Sequence, residues 1–119
     1  VSVVLGLGAG LRATATTTPA LCGSPGRPPC PLQAWMRERM AKPYAKRRFD
    51  ELAGNAAALV GLNPEPKEWG DWDELARDAV RAAQARDEVQ TLRACTHCHR
   101  AHRQDYVTQY RERALPDAR

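Results

Sequence analysis

Apolar residues recur every three or four positions from Leu32 onward, which is the spacing of one face of an α-helix. This periodicity predicts four amphipathic helices, at about residues 32–45, 50–60, 71–85 and 88–115. Each helix is expected to bury one stripe of side chains. In chain order the stripes are Leu32, Trp35, Met36 and Met40; Phe49, Leu52, Ala53, Ala56, Leu59 and Val60; Trp72, Leu75, Ala76, Ala79, Val80 and Ala83; and Val89, Leu92, Cys95, Thr96, His99, His102, Tyr106 and Tyr110.

Residues that favour helix ends stand near these boundaries. Pro43, followed by a run of basic residues, is expected to end the first helix, and Gly61 to cap the second. Asp71 with Glu74 three residues later is a capping-box pattern at the start of the third helix. Pro116 stops the fourth helix, since proline cannot continue it.

The lengths of the connections predict how the helices are arranged. The links after the first and third helices are short, and the loop between the second and third is longer. Helices joined by short links lie side by side and run in opposite directions. The sequence therefore predicts an all-α domain at residues 32–115, an up-down-up-down four-helix bundle, with residues 116–119 as a tail.

The chain before the first helix has two parts. Residues 1–15 begin with an apolar run and end in Ala13-Thr14-Ala15, the pattern of a secretory signal with its cleavage site. The apolar run is too short to span a bilayer. Residues 16–31 are rich in Thr, Pro and Gly, which is typical of a linker. We therefore expect the remnant of a signal, a linker and an exported, periplasmic protein.

Cys22 and Cys30 flank the turns of this linker, and three states are open to them. In an oxidising compartment the favoured state is a small disulfide loop. The second is a lipid anchor on Cys22, although Leu21 is bulky where a lipid-attachment signal has a small residue. The third is a pair of free thiols.

Charge and composition narrow the class of partner. The chain has 18 Lys and Arg residues against 14 Asp and Glu, a net charge of +4. Positive residues are interleaved with acidic ones, so there is no basic stripe of the kind that binds nucleic acid. Aromatic residues are only 6% of the chain while alanine and arginine are abundant, which favours helices over sheet.

The chemistry of the chain is concentrated in Cys95-Thr96-His97-Cys98-His99, inside the predicted fourth helix. C-x-x-C-H is the pattern by which two thiols attach to haem and the histidine ligates its iron. Residues three and four apart share a helix face, so both cysteines and the histidine can contact one flat macrocycle.

Two alternatives to haem attachment are weaker. A zinc site that adds His102 would crowd four ligands onto one helix, and a dithiol redox pair would be expected near a βαβ pattern.

A C-x-x-C-H motif near the C-terminus of a four-helix chain resembles the class II cytochromes c, the family with the cytochrome c′ fold. That family continues the motif with two residues, an aromatic residue and an arginine. Here His102 stands at the aromatic position and Arg103 at that of the arginine. The resemblance covers residues 31–115. It implies one covalent haem c on Cys95 and Cys98, His99 as iron ligand, and Arg103 packed close to that histidine.

The resemblance also raises the question of a second axial ligand. In low-spin members a methionine of the first helix completes the coordination of the iron, and in high-spin members that position is open. The first predicted helix holds Met36 and Met40. Thioether ligation raises the reduction potential and favours electron transfer. The resemblance favours Met36, which lies nearer the start of the helix, while both methionines as core fillers is the alternative.

These features together predict a periplasmic carrier of electrons with one haem, which serves redox partner proteins and is not an enzyme. Two alternatives stay open. One is a high-spin haem protein that binds NO or CO, and the other is a helical metal-binding or structural module without haem. Among relatives of the kind the resemblance implies, a homodimer is common.

Overall fold

Residues 20–116 are described by the computed structural model, and within this range the chain forms four helices and no strand. The helix α1 covers residues 31–45, α2 is Phe49–Ala58, α3 is Trp72–Gln84 and α4 is Glu88–Asp105. The all-α prediction and the positions of the four helices are confirmed. The predicted signal segment at residues 1–15 lies outside the described residues.

Three helices change their winding along their length. A π-helical turn, Arg37–Ala41, lies inside α1; a 3₁₀ turn, Leu59–Leu62, follows α2; and a second π-helical turn, Tyr106–Tyr110, follows α4. The prediction that the fourth helix continues to Leu115 was wrong. The chain turns away after Tyr110 to meet the N-terminal segment, where the Leu21 N–H donates to Glu112 Oε1 at 2.9 Å.

One predicted cap was wrong, and another was right in position but not in its hydrogen bond. Gly61 lies inside the 3₁₀ turn Leu59–Leu62 instead of behind the end of a helix. Asp71 does occupy the position before α3, but its side chain accepts no capping hydrogen bond. Its carboxylate is used elsewhere, because Oδ1 lies 2.8 Å from Nε2 of the His102 imidazole on α4.

The core is built around the contact between α2 and α3, the most extensive contact between two helices. Ala56 on α2 and Ala83 on α3 are completely buried, and small side chains of this kind let two helices approach closely. Trp72 joins α3 to the end of α2, since its indole Nε1–H donates to the Leu59 carbonyl at 2.6 Å. The predicted inward stripes of α2 and α3 are buried except for Val60 and Val80, which are partly buried.

The turn between α1 and α2 matches the turn between α3 and α4. Arg47 and Arg86 both have a φ of 55°, a left-handed conformation that stops each first helix. The two turns lie beside each other. Arg47 pairs with Glu88 at 3.5 Å, and Arg86 pairs with Asp50 at 3.2 Å. Both pairs are exposed, so each contributes at most about 1 kcal/mol, and they align the turns more than they stabilise them.

The buried stripe of α4 differs from the predicted one. Val89 is 64% exposed and Leu92 53%, whereas Thr91 and His102 are buried. The inward stripe is Thr91, Cys95, Cys98, His102 and Tyr106, at helical spacing. Burial of the two polar residues is tolerated because both are hydrogen-bonded: Thr91 Oγ1 donates to the Asp87 carbonyl at 2.6 Å, and His102 pairs with Asp71.

His102 holds α4 against the start of α3. Its ring lies 4.5 Å from the ring of Trp69 and 5.9 Å from that of Trp72, measured between centroids. The hydrogen bond between His102 Nε2 and Asp71 Oδ1, at 2.8 Å, also restrains the orientation of the imidazole. Packing and hydrogen bonding at one residue thus set the rotation of α4 about its own axis.

Residues 20–30, directly before α1, contain a disulfide. Cys22 and Cys30 form a disulfide with a Cα–Cα distance of 4.9 Å, as predicted, and both are buried. The same Cys22 sulfur cannot carry a lipid while it is in this bond. Gly23 has a φ of 78°, and a Cβ there would lie 3.0 Å from the sulfur of Cys30, so only glycine suits this turn.

The first and fourth helices do not pack directly on each other. No Cα atom of α1 comes within 8 Å of a Cα atom of α4, although α2 packs on α3 and α3 on α4. One side of α4 is therefore left uncovered by α1.

None of the helices within residues 20–116 is both long and apolar enough to cross a membrane.

We expect the pair formed by His102 and Asp71 to be measurable in a double-mutant cycle. His102→Phe keeps a ring beside Trp69 but removes the N–H that donates a hydrogen bond to Asp71. Asp71 is 57% exposed, so the loss in the free energy of unfolding should be only about 1 kcal/mol. Asp71→Ala should cost a similar amount, and the double variant little more than either single one. Urea denaturation measures all four proteins; strictly additive losses would show that the two side chains do not interact.

Candidate functional site

The C-x-x-C-H motif lies in the middle of α4, a long helix with a capped N-terminus. Asp87 caps its N-terminus by accepting a hydrogen bond from the Gln90 N–H at 2.9 Å. Cys95 and Cys98 are one helical turn apart on the inward side of α4, and His99 follows directly. The helix thus brings the two thiols and the imidazole to adjacent positions, as the spacing predicts.

Both cysteines of the motif are free and half-buried. Burial raises the pKa of the Cys95 thiol. Burial also raises the pKa of Cys98, to about 11, and the charges of Cys95 and Asp71 add to the shift. At neutral pH both groups are therefore protonated thiols, and they are poor spontaneous nucleophiles and poor ligands for a bare metal ion.

His99 is exposed on the surface of α4, and Arg103 lies on the next turn of the same helix. Neighbouring groups cover part of its imidazole, and this desolvation, together with the positive charge of Arg103, lowers the pKa of His99. The ring is consequently neutral at physiological pH. Within residues 20–116 it takes part in no side-chain hydrogen bond or ion pair, so a ring nitrogen with a free electron pair is available as a ligand.

The two methionines of α1 have different surroundings. Met40 lies in the π-helical turn and is a buried member of the core. Met36 lies directly before this turn and is partly buried against the core. Neither methionine has its Cα atom within 8 Å of a Cα atom of α4, because the backbones of α1 and α4 do not approach each other closely. Met36 is the more accessible of the two.

The donor groups of the site do not suit a bare metal ion. No cluster of three or more His, Cys, Asp or Glu side chains within the described range is arranged to hold one. A porphyrin differs because its four nitrogens already bind the iron, and the protein needs to add only one or two ligands. Two protonated thiols at the required spacing, one neutral imidazole beside them and an uncovered flank of α4 fit this group.

The role of His102 was not found by sequence reasoning. In the sequence it belonged to an apolar stripe with Leu92 and His99, but in the structure it pairs with Asp71, 31 positions earlier. The signal was present in the alternative spacing, since Thr91, Cys95, Cys98 and His102 follow one another at intervals of four, three and four. Hydropathy alone passes over this stripe because two of its members are polar.

No protein-family model matches the chain, and no curated protein and no solved structure matches it either. The function is accordingly inferred from the residues of α4 and from their surroundings. A proposal for the function must account for three reactive groups of α4: the free thiols of Cys95 and Cys98 and the imidazole of His99.

Proposed function

We propose that this protein is a c-type cytochrome with one haem, which carries electrons. The observation that carries the proposal is the state of the four cysteines. Cys22 and Cys30 are joined to each other, whereas Cys95 and Cys98 stay reduced, one turn apart, beside the unengaged imidazole of His99. A purely structural role does not require two free thiols followed directly by a histidine without a hydrogen-bond partner, whereas haem attachment does.

Cys95 and Cys98 would hold the group covalently. Each thiol would add across one vinyl double bond of the haem, with the sulfur bound to one carbon and the thiol hydrogen on the neighbouring carbon. The addition needs no oxidant, but it does need reduced thiols, and both are free in the structure. Their raised pKa values favour a reaction guided by a host's attachment machinery over spontaneous reaction.

The place of the group would be beside the two half-buried cysteines of α4. The lack of any close approach between α1 and α4 supports this, because no backbone of α1 lies against α4. With the helices running alternately up and down, as the short turns at Arg47 and Arg86 favour, α1 and α4 would enclose the macrocycle from two sides. His99 would ligate the iron, and Arg103, on the next turn, would stay close to it.

Met36 is the favoured second ligand. It is partly buried on α1, whereas Met40 is occupied in the core. Haem bound with histidine and methionine supplies a reversible one-electron couple whose potential is raised by the thioether. A buried disulfide fits an oxidising compartment, which agrees with a periplasmic carrier. The physiological partners would be other redox proteins.

The first test is covalent attachment. In a bacterial host with haem-attachment machinery, the protein should gain the mass of one haem and a Soret absorbance band. Cys98→Ala should lose a tether and His99→Ala the iron ligand, so neither variant should yield a stable holoprotein. Intact-mass spectrometry and absorbance of the purified proteins measure this.

His97→Ala is the matched control for these variants. His97 lies between the two cysteines, but its side chain is exposed and is not a predicted ligand. It should leave both the mass and the spectrum unchanged. Purified wild-type protein with no Soret band would overturn the proposal and leave the metal-binding or structural alternative.

The second test separates the two methionines. Met36→Ala should convert a low-spin centre into a high-spin one, lower its reduction potential and let CO bind much faster to the reduced protein. Met40→Ala should keep the low-spin spectrum but lose about 2–5 kcal/mol of stability, because it empties a buried site in the core. Absorbance, redox titration and thermal unfolding are compared on both variants. A wild-type protein that is already high-spin would contradict Met36 as ligand and would favour the gas-binding function.

A further inference from the structure

A groove runs between α3 and α4 on the surface of the molecule, with a volume of about 910 Å³. Its apolar side chains are Ala82 from α3, Ala85 directly after α3, and Val89, Leu92 and Ala94 from α4. Val89 is 64% exposed and Leu92 53%, so two large aliphatic side chains face water next to each other. Side chains of this kind usually pack against something, and in residues 20–116 nothing covers them.

The groove is bordered by positive charge that has no internal partner. Arg93 and Arg100 lie along it two helical turns apart, on one side of α4. Its acidic residues are already engaged: Asp78 pairs with Arg81, and Asp87 caps α4. Arg93 and Arg100 form no ion pair with any described residue. Arg81, Arg93 and Arg100 outnumber Asp78 and Asp87 along the groove, so its net charge is positive.

The groove is distinct from the side of α4 that holds the thiols. Thr96 and His97, the two residues between the cysteines, line the groove, whereas Cys95, Cys98 and His99 do not. A group bound to the cysteines leaves the groove open, yet the two sites share one helix. Anything docked in the groove lies within the width of α4 from the motif, about 10 Å.

We propose that the groove docks an acidic amphipathic helix of the redox partner. Its length from Val89 to Arg100 is about 17 Å at 1.5 Å per residue, which accommodates three turns of a helix. The apolar face of that helix would cover Val89 and Leu92, and its carboxylates would meet Arg93 and Arg100. Naming the owner of the helix as the redox partner rests on the proposed function; the docking itself does not require haem.

A second copy of this chain fits the groove less well. In a symmetric dimer each Arg93 and Arg100 would approach the same surface of the other copy, where the free charges are also positive. Like charges at an interface oppose association, whereas an acidic helix neutralises them. The charge on the groove thus selects an acidic partner over self-association.

The test uses two fluorescein-labelled peptides with the purified full chain. Both have leucine at helical spacing; one has glutamate at all other positions and its twin has lysine. Fluorescence anisotropy measures the binding of each peptide at low and at high salt. The acidic peptide should bind at least about tenfold more tightly than the basic one at low salt, and the difference should shrink at high salt.

Two double variants localise the binding site. Arg93→Gln with Arg100→Gln should weaken binding of the acidic peptide at low salt by about fivefold or more. Arg27→Gln with Arg39→Gln removes the same charge from exposed residues that do not line the groove, and should change the affinity less than about twofold. Leu92→Ser should weaken binding at both salt concentrations, since it acts on the apolar contact. Circular dichroism checks that every variant stays helical.

Equal affinity for the two peptides would overturn the proposal, and so would equal effects of the two double variants, because net charge alone would then explain binding. A wild-type dimer in analytical ultracentrifugation that Leu92→Ser dissociates would assign the groove to a second copy instead. The Soret band of the same samples reports separately on the proposed function. Acidic-peptide binding without that band would retain the groove and reject the haem.

Discussion

The close packing of α2 against α3 is the contact on which the other elements depend. Ala56 and Ala83 are completely buried, and small side chains of this kind let two helices approach closely. Trp72 closes this contact through its hydrogen bond to the Leu59 carbonyl. The remaining helices pack on this pair, α1 on α2 and α4 on α3, and no Cα atom of α1 lies within 8 Å of one of α4.

The orientation of α4 follows from polar groups more than from apolar ones. Thr91 and His102 are buried because each has a hydrogen-bond partner, and their burial turns Val89 and Leu92 outward. If α4 were rotated to bury the two aliphatic residues, the His102 imidazole would lose both Asp71 and its tryptophan neighbours. The observed orientation keeps the hydrogen bond and the contacts between the rings, and it leaves the two aliphatic side chains exposed.

This rotation divides α4 into three surfaces with different roles. The first is the inward stripe, which carries the buried Thr91 and His102 and, between them, the half-buried thiols Cys95 and Cys98. The second carries the exposed imidazole of His99, directly beside that stripe. The third carries Arg93 and Arg100 above the apolar groove. One helix thereby combines anchoring, the proposed cofactor and the proposed docking site, and a partner in the groove would be only one helix away from the motif.

The sequence by itself determined the four helices, the pairing of Cys22 with Cys30 as the favoured state, and the placing of both motif cysteines and His99 at adjacent positions on one helix. These are local properties, set by spacing and by residue type. Only the tertiary structure decided which side of α4 is buried, because Asp71 lies 31 positions from His102 and no local pattern records their contact. It also decided that helical winding ends at Tyr110, after the π-helical turn that follows α4, where a hydrogen bond between Leu21 and Glu112, 91 positions apart, replaces further helical turns.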